Sequence, residues 1–353
     1  MRDSIRALPF RWFYAIAFGI ASLLWTYAVV AEIVAPDAYG PGQSLVDHYF
    51  TVRAEVLAAH PLVAAHPDGV PATLLSYWAV PLVFPFLFFP GAPTTAALIV
   101  VAAGWGKPGL KALLSLYRPL QGSLGRREGL RLYLVLLLLV AGVAALAGTV
   151  TWLRAGDLAL PGLTKAFGLQ SVAMFASAWL VALFANQGGL LEELGWRGFA
   201  WPMLVRKFGT PLVAAVVLGV CWALWHFPRE VPLLLAGQNT LPRLLAGQSV
   251  FIASCVGMSI VAGYFVNLSG GSAWPAIIVH GSFNMIGSAM RIELPGTGGS
   301  GQVHISLMVL WIILAGAVLL VAGRDLGWQR RLALHGGDGS TDPARLWSKE
   351  GSN

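Results

Sequence analysis

Charged side chains are scarce in this chain. Aspartate, glutamate, lysine and arginine make up 11% of its 353 residues, whereas 57% of the residues are hydrophobic. Soluble domains carry about 25% charged residues, so this composition excludes a soluble globular protein. Apolar runs of about 20 residues recur along the sequence, and that length crosses a bilayer as a helix. We therefore expect an all-α fold, a polytopic membrane helical bundle.

Cysteine is almost absent as well, with only Cys221 and Cys255, and both fall inside apolar runs. Two thiols in such runs are typical of core-filling side chains rather than of a disulfide or a metal pair. The sequence also lacks a His-Glu-x-x-His motif, which excludes an ordinary zincin arrangement. Three histidines, His48, His60 and His66, lie in a loop of mixed polarity, and their irregular spacing predicts solvated side chains.

About eight membrane-spanning helices are predicted from the apolar runs. Their expected positions are residues 12–34, 72–103, 132–153, 169–205, 211–235 and 249–267, a span beginning near Pro275, and residues 304–322. Prolines 81, 85 and 90 must kink or divide the second span, because each removes a backbone donor. The fourth span is too long for a bilayer, so we expect it to project beyond the membrane.

The domain organisation follows from this pattern. Residues 1–323 are expected to form one integral membrane helical domain with a motif-bearing core at residues 169–290, and residues 324–353 a polar cytoplasmic tail, disordered or lying on the surface. The net charge of +7 does not indicate nucleic acid, because the basic residues lie in short loops beside apolar runs. An inward N-terminus places most of them inside. We therefore expect a multi-pass protein of the cell membrane with both termini in the cytoplasm.

Three ionisable residues interrupt the fourth apolar run, namely Glu192, Glu193 and Arg197. Charged residues at membrane depth are costly and usually face a bundle interior or a wet cavity. Glu193 and Arg197 are four residues apart, so they share one helix face and can pair. Glu192 points about a hundred degrees away from that face. The pattern predicts one neutralised carboxylate and one that is available for chemistry.

Two later runs carry further polar residues. His226 follows Trp222 by one helical turn, and Asn284 follows His280 by one turn. Glu192 and His226 are equally distant in sequence from Gly209, which marks the turn between the fourth and fifth spans. In an antiparallel hairpin, equal arms mean equal depth. His280 lies at a comparable depth beyond the turn at Gly270, so we expect these polar side chains to converge.

Such a set of residues permits more than one chemistry. A carboxylate can take a proton from water, while histidine and asparagine can stabilise an oxyanion. Two histidines and one carboxylate can instead bind Zn²⁺, here through Glu192, His226 and His280. Packing or hydrogen bonding between helices is the simpler alternative for each residue alone. The combination favours chemistry.

The three motifs together resemble the CPBP family of intramembrane proteases, which includes type II CAAX prenyl endopeptidases and bacteriocin-processing, Abi-like proteins. The resemblance rests on Glu192-Glu193-x-x-x-Arg197, on an aromatic residue four positions before His226, and on His280-x-x-x-Asn284. It covers about residues 169–290. This chain departs from the family at Trp222, where phenylalanine is usual.

The resemblance implies a role for each motif residue. Glu192 would activate the attacking water, with Glu193 and Arg197 supporting it. His226, His280 and Asn284 would line the site and stabilise the oxyanion. The implied activity is an intramembrane endopeptidase that cleaves membrane-associated peptide or protein substrates, of the prenylated CAAX type or the bacteriocin type.

Two alternative functions and the requirement for a metal stay open at this point. The protein can alternatively be a non-catalytic bacteriocin-immunity or peptide-binding membrane protein, or a proton-coupled transporter that uses Glu192 and the histidines as a relay. We expect no required cofactor, although zinc is possible. That expectation assumes that Glu193 is committed to Arg197 and that no acid serves either histidine.

Overall fold

The computed structural model describes residues 2–38, 40–41, 43, 45–64, 66, 69–81, 88–155, 172–235, 239–289 and 305–348. Most of these residues are helical, and no β-strand is formed among them. A single isolated antiparallel bridge in this part of the chain joins Gly69 to Asn186. The all-α fold class expected from the composition is confirmed.

Up to residue 155, the described ranges form seven helices. They are α1 (Arg2–Ala7), α2 (Pro9–Val34), α3 (Leu45–Ala59), α4 (Pro61–Ala64), α5 (Val70–Ala79), α6 (Phe88–Ser115) and α7 (Arg126–Ala155). From residue 172 onward, the described ranges form ten more. They are α8 (Val172–Phe184), α9 (Gln187–Glu193), α10 (Trp201–Phe208), α11 (Pro211–Trp225), α12 (Val231–Leu235), α13 (Leu241–Leu268), α14 (Trp274–Ala289), α15 (Ile305–Ala322), α16 (Trp328–Leu334) and α17 (Arg345–Ser348).

Six of the described helices are long and apolar enough to cross a membrane. They cover Pro9–Ala31, Phe89–Ser115, Arg126–Leu146, Pro211–Glu230, Leu241–Leu268 and Met308–Asp325. These correspond to the first, second, third, fifth, sixth and eighth predicted spans. The seventh predicted span is α14, which has 16 residues and carries Pro275 in its first turn as expected. The total of about eight stays a prediction.

The predicted second span is two helices in the structure. α5 ends at Ala79, just before Pro81, and α6 starts at Phe88; residues 82–87, and Pro85 with them, lie outside the described residues. Proline cannot donate a helical hydrogen bond, which explains why α5 stops there. α6 then continues to Ser115, beyond residue 103, where the second span was expected to end. A kink at Gly106, with φ of 65°, turns its last part.

The predicted long fourth span is wrong as a single helix. α8 ends at Phe184, and Asn186 starts α9 as its N-cap residue. After Glu193 the chain continues as a π-helix over Leu194–Ala200 before α10 begins. Pro202 has no N–H for the carbonyl one turn earlier, and π-helical insertions are frequent at functional sites. The acidic motif therefore lies on a short, interrupted segment.

A tight turn joins α10 to α11, as the sequence predicted. Gly209 has a left-handed conformation with φ of 64°, which ends α10. α11 then packs against α13, which in turn packs against α15, while α9 lies between α6 and α14. Cys221 on α11 and Cys255 on α13 are both free thiols, and Cys255 is buried. These contacts set the short acidic helix in the middle of the bundle.

The C-terminal residues differ from the expected disorder. Arg331 and Asp342 are buried and form a two-pronged ion pair, with distances of 2.7 and 3.0 Å. Asn267 donates a hydrogen bond to the carbonyl of Leu326, and Trp347 is fully buried. Tertiary contacts thus order a segment that its polar, glycine-containing composition did not mark as part of the core. The boundary at residue 324 between a membrane domain and a cytoplasmic tail stays a prediction.

Candidate active site

Glu193 is the most connected acid of the site. Its Oε1 atom accepts hydrogen bonds from Nη1 of Arg197 at 2.8 Å and from Nδ1 of His280 at 2.8 Å. Glu193 and Arg197 are both buried, and Nη2 of Arg197 also donates to the hydroxyl of Ser259 on α13. The predicted pair of Glu193 with Arg197 is formed. The bond to His280 was not foreseen.

Glu192 lies on the other side of the helix, in different surroundings. It is 4% exposed, and its Oε2 atom accepts the indole N–H of Trp222 at 2.8 Å. Glu193 has a cation and an imidazole as partners, whereas the hydrogen-bond partner of Glu192 is a neutral donor. The two neighbouring carboxylates are thereby divided between two environments, as the helical spacing predicted.

Trp222 occupies the centre of the cluster. Its ring centroid lies 5.0 Å from that of His280 and 5.9 Å from that of His226, edge-to-face in both cases. The guanidinium carbon of Arg197 lies 4.8 Å from its ring centroid. His226 thus joins the cluster through Trp222, and the contacts described include no hydrogen bond between His226 and Glu192. Glu192 and His226, which the equal arms of the hairpin placed at the same depth, both contact Trp222.

Hydrogen-bond partners fix which ring nitrogen carries the proton in both histidines. His226 lies at the end of α11, where its Nδ1 is 3.0 Å from the carbonyl oxygen of Trp222. Nδ1 of His280 faces the carboxylate of Glu193. Carbonyl and carboxylate oxygens only accept, so Nδ1 is the donor in each ring. This assignment leaves Nε2 of both histidines for other partners.

Asn284 is held by a residue that the sequence reasoning missed. Its Nδ2 atom donates to Oδ1 of Asn186 at 2.9 Å, and the same oxygen accepts the backbone N–H of Gly189. Asn186 is fully buried and caps the helix that carries Glu192. An asparagine before Gln-Gly-Gly is an N-cap signal, which could have located the start of this helix.

Gly188 is a second residue that the sequence reasoning missed. A methyl group at this position would lie 2.8 Å from Nε2 of His280 and 2.9 Å from Nδ2 of Asn284. Those separations are too short for real contacts, so only glycine leaves these two polar atoms their present room. The first turn of the Glu192 helix therefore lies directly against the polar atoms of α14.

His66 corrects an expectation about the histidines of the first loop. It is 4% exposed, and its Nε2 lies 3.1 Å from Nδ2 of Asn186. Because Gly189 donates to Oδ1 of Asn186, the amide nitrogen of Asn186 faces the imidazole, and Nε2 of His66 is the acceptor. The prediction of a solvated side chain is wrong for His66, which connects the loop before α5 to the site.

A metal ion requires several donor side chains that converge on one point. No three His, Cys, Asp or Glu side chains among the described residues are placed to hold one ion. Glu192, His226 and His280, the set considered for zinc, are arranged around Trp222 instead. One premise against zinc is nevertheless wrong, because Glu193 does serve His280. The expectation that no metal is required stays a prediction.

Comparison with known proteins bears on the same segment. Residues 173–286 match a family model described as type II CAAX prenyl endopeptidase Rce1-like. A curated relative, CAAX prenyl protease 2 from Methanococcus maripaludis, is 46% identical over 37 residues, which cover 10% of this chain and 13% of that protein. The family resemblance read from the motifs is confirmed. The part of the chain that bears all seven predicted site residues, residues 173–286, thus matches the Rce1-like type II CAAX prenyl endopeptidase model.

Proposed function

We propose that the protein is an intramembrane endopeptidase in which Glu192 activates a water molecule. Its substrates would be membrane-associated peptides or proteins, of the prenylated CAAX type or the bacteriocin type. The family match supports the activity class, and the site geometry supports the assignment of roles. Both termini would lie in the cytoplasm.

One observation carries this proposal. Of two adjacent buried glutamates, Glu193 is held by Arg197 and His280, while Glu192 accepts a hydrogen bond only from Trp222 among the described residues. Burying a carboxylate without a cationic partner costs free energy, and a purely structural role for Glu192 would not explain that cost. A general base must keep an oxygen available for the proton that it abstracts. Each glutamate keeps one oxygen without a hydrogen bond from the described residues, but Oε2 of Glu193 is shielded from solvent and the charge of Glu193 is paired with Arg197. We therefore assign the base to Glu192.

The reaction follows from these roles. Glu192 takes a proton from water, and the water oxygen attacks the carbonyl carbon of the scissile peptide bond. The carbonyl electrons move to its oxygen and form an oxyanion. When this intermediate collapses, the carbon–nitrogen bond breaks and Glu192 returns the proton to the leaving amine. One carboxylate thus acts first as base and then as acid.

The oxyanion would be stabilised from α14. Asn284 donates one N–H of its amide to Asn186, and the same amide would donate to the oxyanion. His280 donates from Nδ1 to Glu193, and with a proton on Nε2 as well it would also donate to the oxyanion. Nε2 of His280 and Nδ2 of Asn284 both lie beside Gly188, which favours a shared ligand atom. Such donors are worth about 10²–10³ in rate.

Hydrolysis can be tested directly with purified protein in detergent or proteoliposomes. Farnesylated C-terminal peptides, the same peptides without the lipid, and leader-type peptides are incubated in H₂¹⁸O, and the products are identified by mass spectrometry. We expect cleavage of at least one class, with one ¹⁸O atom in each new carboxylate. The reaction is repeated after chelation, and we expect activity to persist.

The same preparation separates the alternatives. A peptide-binding or immunity protein would retain a peptide without cleaving it, and a proton-coupled transporter would acidify the vesicle lumen with substrate. Either result without peptide products would contradict the proposal. Loss of activity on chelation that returns with equimolar Zn²⁺ would overturn the metal-independent part alone.

A further inference from the structure

Trp222 makes the only hydrogen bond to the side chain of Glu192 that the described residues provide. The indole nitrogen lies 2.8 Å from Oε2 of Glu192, and both side chains are buried. An indole N–H can only donate, so the direction of this bond is unambiguous. A hydrogen bond to a carboxylate is shorter and about twice as strong as one between neutral groups. The contact therefore fixes one oxygen of the proposed base.

The indole itself is held from several sides. Arg197 lies over its ring at 4.8 Å, and the ring of His280 meets it at 5.0 Å. The backbone carbonyl of Trp222 accepts a hydrogen bond from Nδ1 of His226. The indole cannot turn away from Glu192 without losing the Arg197 and His280 contacts as well. A donor held in this way does not need to reorganise during a reaction.

The tryptophan is also where this chain departs from the family that it resembles. Phenylalanine, the usual residue there, keeps an aromatic ring but has no N–H. We propose that Trp222 is a positioning residue for Glu192: its indole N–H holds Oε2, so that Oε1 points to the attacking water. This inference rests on the proposed function, since it assumes that Glu192 is the base.

The hydrogen bond also has an electrostatic consequence. A donor to a carboxylate stabilises the charged form over the acid. The other charged and titratable groups around Glu192 are Glu193, Arg197, His280, His226 and Cys255, and the substitution of Trp222 removes none of them. Removing the N–H should therefore shift the acid limb of the pH profile of kcat/KM to higher pH. A loss of packing alone would lower stability and leave that limb where it was.

The test is Trp222→Phe, which restores the family's usual residue. We expect kcat to fall about tenfold, the low end for a hydrogen bond to a charged group, with KM changed less than about twofold. The acid limb should move upward by roughly half a pH unit or more. Trp201→Phe is the matched control, because its indole donates to Asn267 away from the site and is equally buried. Trp201→Phe should leave the pH profile unchanged.

A second variant covers the case in which Trp222→Phe does not fold. Replacing the indole of Trp222 by benzothiophene keeps its shape and removes only the N–H, and the same kinetic shifts are expected. A pH profile that superimposes on wild type, with kcat within twofold, would overturn the inference. Glu192→Gln, assayed in parallel, separates the two claims. If it is inactive while both Trp222 variants match wild type, only this inference is wrong; if it is active, the proposed base and this inference fall together.

Discussion

Nδ1 of His280 lies 2.8 Å from Oε1 of Glu193, the same oxygen that accepts Nη1 of Arg197. One buried carboxylate oxygen therefore joins α14 to the acidic segment and neutralises a buried cation. Glu193 is in this way the paired acid of the two, and Glu192 is the one that we propose as the base. The roles of the two neighbours follow from their partners rather than from their residue type.

Glu193→Gln should lower both stability and activity. The substitution leaves Arg197 buried without a counter-charge, and breaking such a pair costs roughly 3–5 kcal/mol. Thermal unfolding in detergent measures the loss. Glu230→Gln is the control, because its pair with Arg229 is partly exposed and should contribute about 1 kcal/mol or less. Wild-type stability in Glu193→Gln would contradict the structural role.

Gly188→Ala should reduce activity strongly. The added methyl group would lie within 3 Å of Nε2 of His280 and Nδ2 of Asn284, so one of them must move. A misplacement of about 1 Å can cost about 10²-fold in rate. Steady-state kinetics provide the measurement. Gly19→Ala has open space around the new methyl group and should keep full activity; similar kinetics in the two variants would argue against a crowded site.

Asn186 should be replaceable by aspartate but not by alanine. Aspartate keeps the acceptor that binds Gly189 and Asn284 and loses only the N–H that faces His66, whereas alanine removes both and the helix cap, at a cost of about 1 kcal/mol for the cap alone. We expect kcat to drop in Asn186→Ala and to recover in part in Asn186→Asp. Asn267→Ala removes a buried amide far from the site and controls for stability. Equal activity in the alanine and aspartate variants would show that the acceptor does not position Asn284.

The C-terminal segment should loosen in acid. Burial alone would raise the pKa of Asp342, but the ion pair with Arg331 and the N–H of Ala344 hold it below its ordinary value. A lowered carboxyl pKa contributes stability that is present above the unfolded value of about 3.9 and is lost as the pH falls through the folded value. Hydrogen exchange of residues 328–348, corrected for intrinsic rates, should accelerate below about pH 4.

Asp342→Asn is the matched variant for this segment. It retains the shape of the side chain and removes the charge, so it should exchange rapidly already at pH 7. Exchange that is independent of pH in the wild type, and equal in the variant, would show that the ion pair does not hold the segment.

Features that depend on residues close together in the chain could be predicted from the sequence. The pair of Glu193 and Arg197 follows from i,i+4 spacing, and the turn at Gly209 from a polar break between two apolar runs. The turn predicted that Glu192 and His226 lie at the same depth, and in the structure both contact Trp222. The all-α class followed from the composition and from the length of the apolar runs.

Other features depend on partners that are distant in sequence. His66 reaches Asn186 across 120 residues, and no local pattern distinguishes such a histidine from a solvated one. The interruption of the fourth span looks from the sequence like two polar residues, Asn186 and Gln187, in an apolar run. Burial of Arg331 and Asp342 depends on the helices that cover them, so polar composition suggested disorder instead.

The most direct measurement of the central claim is the kcat/KM of Glu192→Gln. The amide keeps an oxygen that can accept the N–H of Trp222, so the variant should insert and unfold like wild type. It has no basic oxygen to take a proton from water, and losing a general base costs about 10²-fold or more. We predict kcat/KM at least about 100-fold below wild type in a protein of unchanged stability. Activity above about a tenth of wild type would contradict the assignment of Glu192 as the base.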